Sequence, residues 1–105
     1  MPYSVLERPF LWEHLIVSKQ VISRPGTLHA VIINRPDVGA SALISIHDVA
    51  AVGDILPANM IANITMDDAF FVIPQTLVYD VGFLNGLYIL FSAGMTTGDI
   101  TISYR

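Results

Sequence analysis

The chain alternates short runs of apolar and β-branched residues with turn-forming residues, a pattern typical of β-strands. Most runs also alternate apolar with polar positions. In Ser41 to His47, for example, Ala42, Ile44 and Ile46 would share one face. Pro, Gly, Asp and Asn separate the runs. The pattern predicts about eight strands, at residues 15–23, 27–34, 41–47, 60–66, 69–73, 77–83, 87–92 and 100–105.

The two apolar runs on either side of Asn85-Gly86 predict a β-hairpin, because this dipeptide is a strong turn signal. We expect a three-residue loop, Leu84 to Gly86, with Gly86 in the left-handed conformation. This register gives the hairpin one strongly apolar face, on which Tyr79, Val81 and Phe83 lie beside Leu87, Ile89 and Phe91.

The absence of any long helical pattern predicts an all-β fold, an antiparallel β-sandwich that resembles a jelly roll. A chain of 105 residues is long enough for one domain with one core. The segment 1–14 shows no clear period and contains Pro2 and Pro9. We therefore predict an extended N-terminal arm at 1–14, followed by a single sandwich domain at 15–105. An edge strand on the protein's own sandwich is the alternative for the arm.

Charged residues make up only 13% of the chain and hydrophobic residues 53%, whereas soluble domains usually contain about 25% charged residues. With so few solvating groups, we expect protein to cover part of the surface, in an oligomer or a larger assembly. A compact β domain with a surface of Ser, Thr and Asn is the alternative. The net charge of −4 and the scattered cations argue against a nucleic-acid partner.

The sequence also bears on the compartment of the protein. It has no cysteine, which excludes disulfides and cysteine-based zinc sites. The longest uncharged stretch, Val81 to Gly98, contains turn and polar residues that argue against a membrane span. The N-terminus does not resemble a signal peptide, so synthesis in the cytoplasm is expected.

Candidates for chemistry are few. The three histidines, His14, His29 and His47, lack any metal-ligand spacing, although His29 and His47 would form a pair if their strands were neighbours. Without a nucleophile motif we expect no catalytic residue, no cofactor and no metal, and hence no enzyme. Four aspartates in predicted loops lack the calcium-loop pattern and are better explained by turn formation: Asp48, Asp54, Asp67 and Asp68.

Several segments carry a resemblance to a known group: Arg24 to Asn34, Leu43 to Asp48, Leu77 to Phe83 with Asn85-Gly86-Leu87, and Asp99 to Arg105. Together they resemble small β-rich virion proteins of tailed bacteriophages. The resemblance implies a structural protein without catalysis, which decorates or cements the capsid. It also implies a homo-oligomer, a dimer or trimer, bound to the major capsid protein at the capsid surface, after synthesis in the host cytoplasm.

The aromatic and apolar residues of the arm are the candidate contacts for such a partner. We expect Tyr3, Phe10, Leu11 and Trp12 to dock on a neighbouring subunit or on the major capsid protein, with Tyr88 as a further contact. Neither nucleic acid nor a membrane is an expected partner.

A receptor- or carbohydrate-binding module of a phage tail or fibre is the alternative function. In that case the loops Arg35 to Ala40 and Met95 to Asp99, at one end of the sandwich, would hold the ligand.

Overall fold

A computed structural model describes residues 9–37, 42–66 and 75–105 of the protein. In these residues the chain forms eight strands and two short 3-10 helices, Val52–Asp54 and Pro57–Asn59. The strands are β1 (Leu11–Leu15), β2 (Lys19–Ile22), β3 (Gly26–Arg35), β4 (Leu43–His47), β5 (Met60–Thr65), β6 (Gln75–Phe83), β7 (Leu87–Phe91) and β8 (Asp99–Tyr104). The predicted strand at 69–73 lies outside the described residues, as do Asp67 and Asp68, which were predicted to form a turn.

The strands form two antiparallel four-stranded sheets, which we call the β1 sheet and the β2 sheet. The strand order is β1-β8-β3-β6 in the β1 sheet and β2-β7-β4-β5 in the β2 sheet. Consecutive strands alternate between the sheets except for β4 and β5, which are neighbours in one sheet. This is the topology of a jelly roll. The predicted all-β sandwich of about eight strands is confirmed.

The core lies between the two sheets and is built by the alternating positions of the strands. The residues predicted to share one face of β4 are buried, with Ile44 and Ile46 at 0% exposure, and alternation likewise buries Ile100 and Ile102 of β8 at 0% exposure. The face of β3 that points to the core changes along the strand. A bulge lies between Leu28 and Ala30, so Leu28 faces the core before it, and Val31 and Ile33 face the core after it. An extra residue at a bulge shifts the alternation by one.

The predicted hairpin at Asn85-Gly86 is wrong. β6 pairs with β3 in the β1 sheet, whereas β7 lies between β2 and β4 in the β2 sheet. The segment Leu84 to Gly86 therefore crosses from one sheet to the other. Gly86 does not have a positive φ. The apolar residues of the two strands do share the core, but they face each other across it instead of lying side by side.

The predicted strand at 15–23 is confirmed at Lys19–Ile22, as β2, but it begins too early, because the chain turns between Leu15 and Lys19 and changes sheet there. β1 pairs with β8 along its whole length, so Leu11–His14 belongs to an edge strand. The predicted arm boundary at His14 therefore lies too far along the chain, and the edge-strand alternative holds for this part. Residues 1–8 of the arm precede the described region. Lys19 forms an ion pair with Glu13 that joins β2 to β1 across the open edge of the sandwich.

Candidate interaction surface and polar cleft

The structure separates the predicted interface residues. Phe10 directly precedes edge strand β1, and Leu11 and Trp12 are its first two residues. Leu11 lies opposite the core residue Tyr104, so Leu11 is on the inner side of the sheet and Trp12 is on the outer side. Tyr88 lies on β7, on the outer face of the opposite sheet, because its neighbours Leu87 and Ile89 fill the core. Tyr3 precedes the described residues. The predicted set therefore does not form one surface.

Trp12 begins a row of side chains that crosses the outer face of the β1 sheet. It lies opposite Ser103 on β8, Ser103 lies opposite Ala30 on β3, and Ala30 lies opposite Val78 on β6. We call these four residues the Trp12 row. Trp12 is 61% exposed and Val78 64%, whereas Ser103 and Ala30 are buried. Two large exposed side chains thus flank two small buried ones, so Trp12 and Val78 are the members of the row that a partner could contact.

An aromatic and charged cluster lies at one side of the Trp12 row. The Phe10 ring stacks on the His29 ring with centroids 4.3 Å apart. The guanidinium carbon of Arg105 lies 4.4 Å from the Phe10 centroid, a cation–π distance. His29 Nδ1 in turn lies 2.5 Å from a carboxylate oxygen of Asp80. Phe10 is therefore held between side chains of β3 and the C-terminus.

Two irregularities of the backbone, in β3 and in β6, bring His29 and Asp80 together. His29 lies in the bulge of β3, and Asp80 on the neighbouring strand has a φ of 47°. Asp is among the few residues other than Gly that adopt this left-handed conformation. A charged residue inside the otherwise apolar run of β6 is the sequence signal that marks the irregularity. The sequence-based interpretation missed it because it placed Asp80 in a regular hairpin.

A second polar group lies at the other side of the Trp12 row. His14 Nε2 is 2.5 Å from Asp99 Oδ1, and the amide of Asn34 donates to the same oxygen at 3.0 Å and to Thr101 Oγ1 at 2.9 Å. The outer face of the β1 sheet therefore has the mainly apolar Trp12 row in its middle and polar or charged side chains on each side. This arrangement, an apolar centre within a polar surround, is typical of protein interaction surfaces.

The histidines do not form a pair. His29 is on β3 in the β1 sheet and His47 is on β4 in the β2 sheet. His47 is buried, its Nε2 lies 3.0 Å from Ser45 Oγ, and its Nδ1 has no hydrogen-bond partner. The hydroxyl of Ser103 also has no partner, so neither His–Asp pair extends to it. In the described residues no group of three or more His, Asp or Glu could hold a metal ion.

Asp37 fastens the loops at one end of the sandwich. Its side chain is fully buried at the end of β3. Its Oδ2 accepts the backbone N–H groups of Thr96, Thr97 and Gly98 at 2.7, 2.9 and 2.8 Å, and its Oδ1 accepts the Thr96 hydroxyl at 3.1 Å. Carboxylates that accept several backbone N–H groups make strong, charge-assisted hydrogen bonds. Asp37 thus ties the β3–β4 connection to the β7–β8 connection.

Asp48 has the same role at the opposite end. Its two oxygens accept the backbone N–H groups of Leu84 at 2.9 Å, Asn85 at 2.7 Å and Gly86 at 3.3 Å. Partial burial raises the pKa of Asp48, but these hydrogen bonds and one from the Asn85 side chain lower the pKa by more. The net pKa is below the ordinary value of 3.8. This carboxylate, and not an Asn-Gly turn, fixes the crossing between the sheets.

A polar cleft of about 290 Å³ lies beside Asp48. The chain reaches it from the β4–β5 connection and the β6–β7 crossing, and its lining is Asp48, Val49, Ala50, Asp54, Asn59 and Asn85. Much of its polar lining is already hydrogen-bonded within the protein, since Asn59 accepts the Leu56 N–H and donates to the carbonyl of Asp54. The predicted ligand loops, 35–40 and 95–99, lie at the other end of the sandwich, where residues 38–40 are not described.

Comparison with family models, with curated proteins and with solved structures found no match for this chain. Within the three described ranges, no helix has the length and apolar character needed to cross a membrane.

Proposed function

We propose that this protein is a structural virion protein that decorates or cements the capsid of a tailed bacteriophage. It acts as a small homo-oligomer and contacts the major capsid protein through the Trp12 row. The observation that carries this proposal is the exposure of Trp12 on edge strand β1, on the outer face of a sheet that already has a complete core on its other side.

The energetics favour a protein partner for this side chain. A buried Trp removes about 150–250 Å² from water, and Trp12 keeps 61% of its surface exposed. Covering the remainder, roughly 100–150 Å², would contribute about 2.5–4 kcal/mol per copy. A capsid lattice repeats each contact many times, so a modest interface per copy stabilises the whole particle. The sparse charge of the chain is consistent with such coverage.

A point variant tests the proposal more sharply than removal of the arm, because deleting residues 1–12 would cut into β1. The variant Trp12→Ala should bind purified capsids of the phage that encodes the chain at least about tenfold more weakly than the wild type. Leu84→Ala is the matched control, since Leu84 is 78% exposed in the crossing at the far end of β6. Equal capsid affinity of the wild type and Trp12→Ala would contradict the proposed surface.

A receptor- or carbohydrate-binding role in a phage tail or fibre is the second candidate. The polar cleft favours it, because the carboxylate of Asp54 and the side chain of Asn85 line it at an exposed end of the sandwich. Polar groups that converge in a cleft can fix the orientation of a small ligand. Binding on a glycan array that Asp54→Ala abolishes would support this role. An array without any binding would contradict it.

A further inference from the structure

The dipeptide Asn85-Gly86 has a chemical reactivity that its role in the fold does not use. In a flexible chain the backbone nitrogen that follows an Asn can attack the side-chain amide carbon of that Asn. A following Gly makes the attack easiest, because it has no Cβ to block the approach and its backbone rotates freely. Asn85 is the only Asn of the chain that precedes a Gly, and it is exposed.

The structure restrains each part of this reaction. The attacking atom would be the nitrogen of Gly86, whose N–H is donated to Asp48 Oδ1. The adjacent N–H groups of Leu84 and Asn85 are donated to the same carboxylate, so three consecutive peptide units are fixed. Gly86 is also buried, between the β4–β5 connection and the end of β2. A Cβ at Gly86 would lie 2.4 Å from the carbonyl oxygen of Val49 and 2.7 Å from that of Ile22.

We propose that Asn85 is a site of spontaneous deamidation that the Asp48 carboxylate keeps closed in the folded protein. When the crossing opens, the Gly86 nitrogen loses its proton to water or hydroxide and forms a bond to Cγ of Asn85. The bond from Cγ to the side-chain nitrogen breaks, and that nitrogen leaves as ammonia. One water then opens the cyclic imide to aspartate or isoaspartate at position 85. The net reaction consumes one water and releases one ammonia.

Asp48 opposes this reaction in two ways. Its hydrogen bonds hold the Gly86 nitrogen in one orientation, so the peptide cannot rotate toward Cγ. Its negative charge beside the Gly86 N–H also disfavours removal of the proton, because a second negative charge would form within a few ångströms. The exposed position of Asn85 therefore does not make it reactive while the carboxylate is in place.

The product would not fit the site that Asn85 occupies. A carboxylate at position 85 would face Asp48, where the Asn85 side chain now donates a hydrogen bond. Isoaspartate would also add one carbon to the backbone of the crossing. This would displace the three N–H groups that donate to the Asp48 carboxylate. Modification should therefore loosen the crossing and reshape the polar cleft that Asn85 lines. This inference does not depend on the proposed capsid role.

The test compares Asp48→Ala, which removes the acceptor of the crossing, with Asp54→Ala, a control that changes another aspartate of the cleft. Both variants and the wild type are incubated in mildly alkaline buffer, and peptide mapping by mass spectrometry follows the gain of one mass unit at Asn85. We expect Asp48→Ala to deamidate at least about tenfold faster than the wild type, a factor that corresponds to about 1.4 kcal/mol. Asp54→Ala should match the wild type.

A folded Asp48→Ala protein that deamidates no faster than the wild type would overturn the proposal. If that variant does not fold, the wild type alone decides, by comparison with a synthetic peptide of residues 81–91. Deamidation of the native protein should be at least about a hundredfold slower than that of the peptide, and the Gly86 amide should be protected from hydrogen exchange. Equal rates, or free exchange of that amide, would overturn the proposal.

Discussion

Replacing Asp37 should destabilise the protein more than almost any other single change at a polar residue. Asp37→Ala leaves three backbone N–H groups, those of Thr96, Thr97 and Gly98, without their acceptor. A hydrogen bond to a charged group contributes about 1.5–3 kcal/mol, but bonds to one acceptor are not additive and water can reach part of the opened loop. We expect a loss of about 3–5 kcal/mol, from a total that is typically about 5–15 kcal/mol.

The variant Asp37→Asn should cost less, about 1–2 kcal/mol. Its amide oxygen can take the place of Oδ2 and accept the three backbone N–H groups. Its nitrogen then faces the Thr96 hydroxyl, which can act as an acceptor. The charge assistance of these hydrogen bonds is lost. Asp54→Ala is the control, because Asp54 is exposed, and it should change stability by about 0.5 kcal/mol or less.

The differences in the free energy of unfolding are measured by urea unfolding, followed by far-ultraviolet circular dichroism. The midpoints of the variants are compared where the dependence of the free energy on urea concentration, the m-value, is unchanged. Asp37→Ala should also lower Tm by more than about 12 °C. A loss below about 1 kcal/mol in Asp37→Ala would refute the reasoning, since it would mean that the buried carboxylate does not hold the loop. Equal losses in Asp37→Ala and Asp37→Asn would refute the assignment of the oxygen as the main acceptor.

Two further predictions concern the crossing after β6. The pKa of Asp48 is lower in the folded protein than its ordinary value of 3.8, so its contribution is complete above about pH 4 and is lost as the pH falls through the lowered pKa. Urea midpoints between about pH 5 and pH 2 should fall less steeply in Asp48→Asn than in the wild type, and parallel profiles would contradict this. Gly86→Ala should lose about 1–3 kcal/mol in thermal unfolding, because its Cβ would meet the backbone at Val49 and Ile22. An unchanged Tm would contradict the close approach.

Most strands could be predicted because a half-buried strand alternates apolar and polar residues, and this alternation is visible in the sequence. The inward residues of β4 and β8 follow from alternation alone. By contrast, no sequence pattern indicates which strands pair with one another. The alternation in β6 and β7, which Leu84-Asn85-Gly86 joins, is compatible with a hairpin within one sheet. It is equally compatible with a crossing between two sheets that face each other, which is what the structure has. The deciding interaction comes from Asp48, far away in the sequence, so local turn preference was overruled.

The candidate interaction surface could also be predicted only in part. Trp12 was predicted to be an interface residue because an aromatic residue near the chain start is costly to leave uncovered. The structure shows it exposed, and its contact with a partner stays a prediction. The cluster of His29 and Asp80 was not predicted, because a bulge and a left-handed backbone bring the two residues together. Bulges depend on the register between strands, which the sequence of one strand does not encode. Tyr88 lies on the outer face of β7, in the other sheet from Trp12, and its role as a contact stays a prediction.

The copy number of the protein in purified virions tests the proposed capsid role most directly. Quantitative mass spectrometry against the major capsid protein provides it. A capsid decoration or cement protein should be present in on the order of hundreds of copies per particle, in a simple ratio to the capsid subunit. A handful of copies would place the protein in the tail and favour the receptor-binding role. Complete absence from the particle would contradict a virion function.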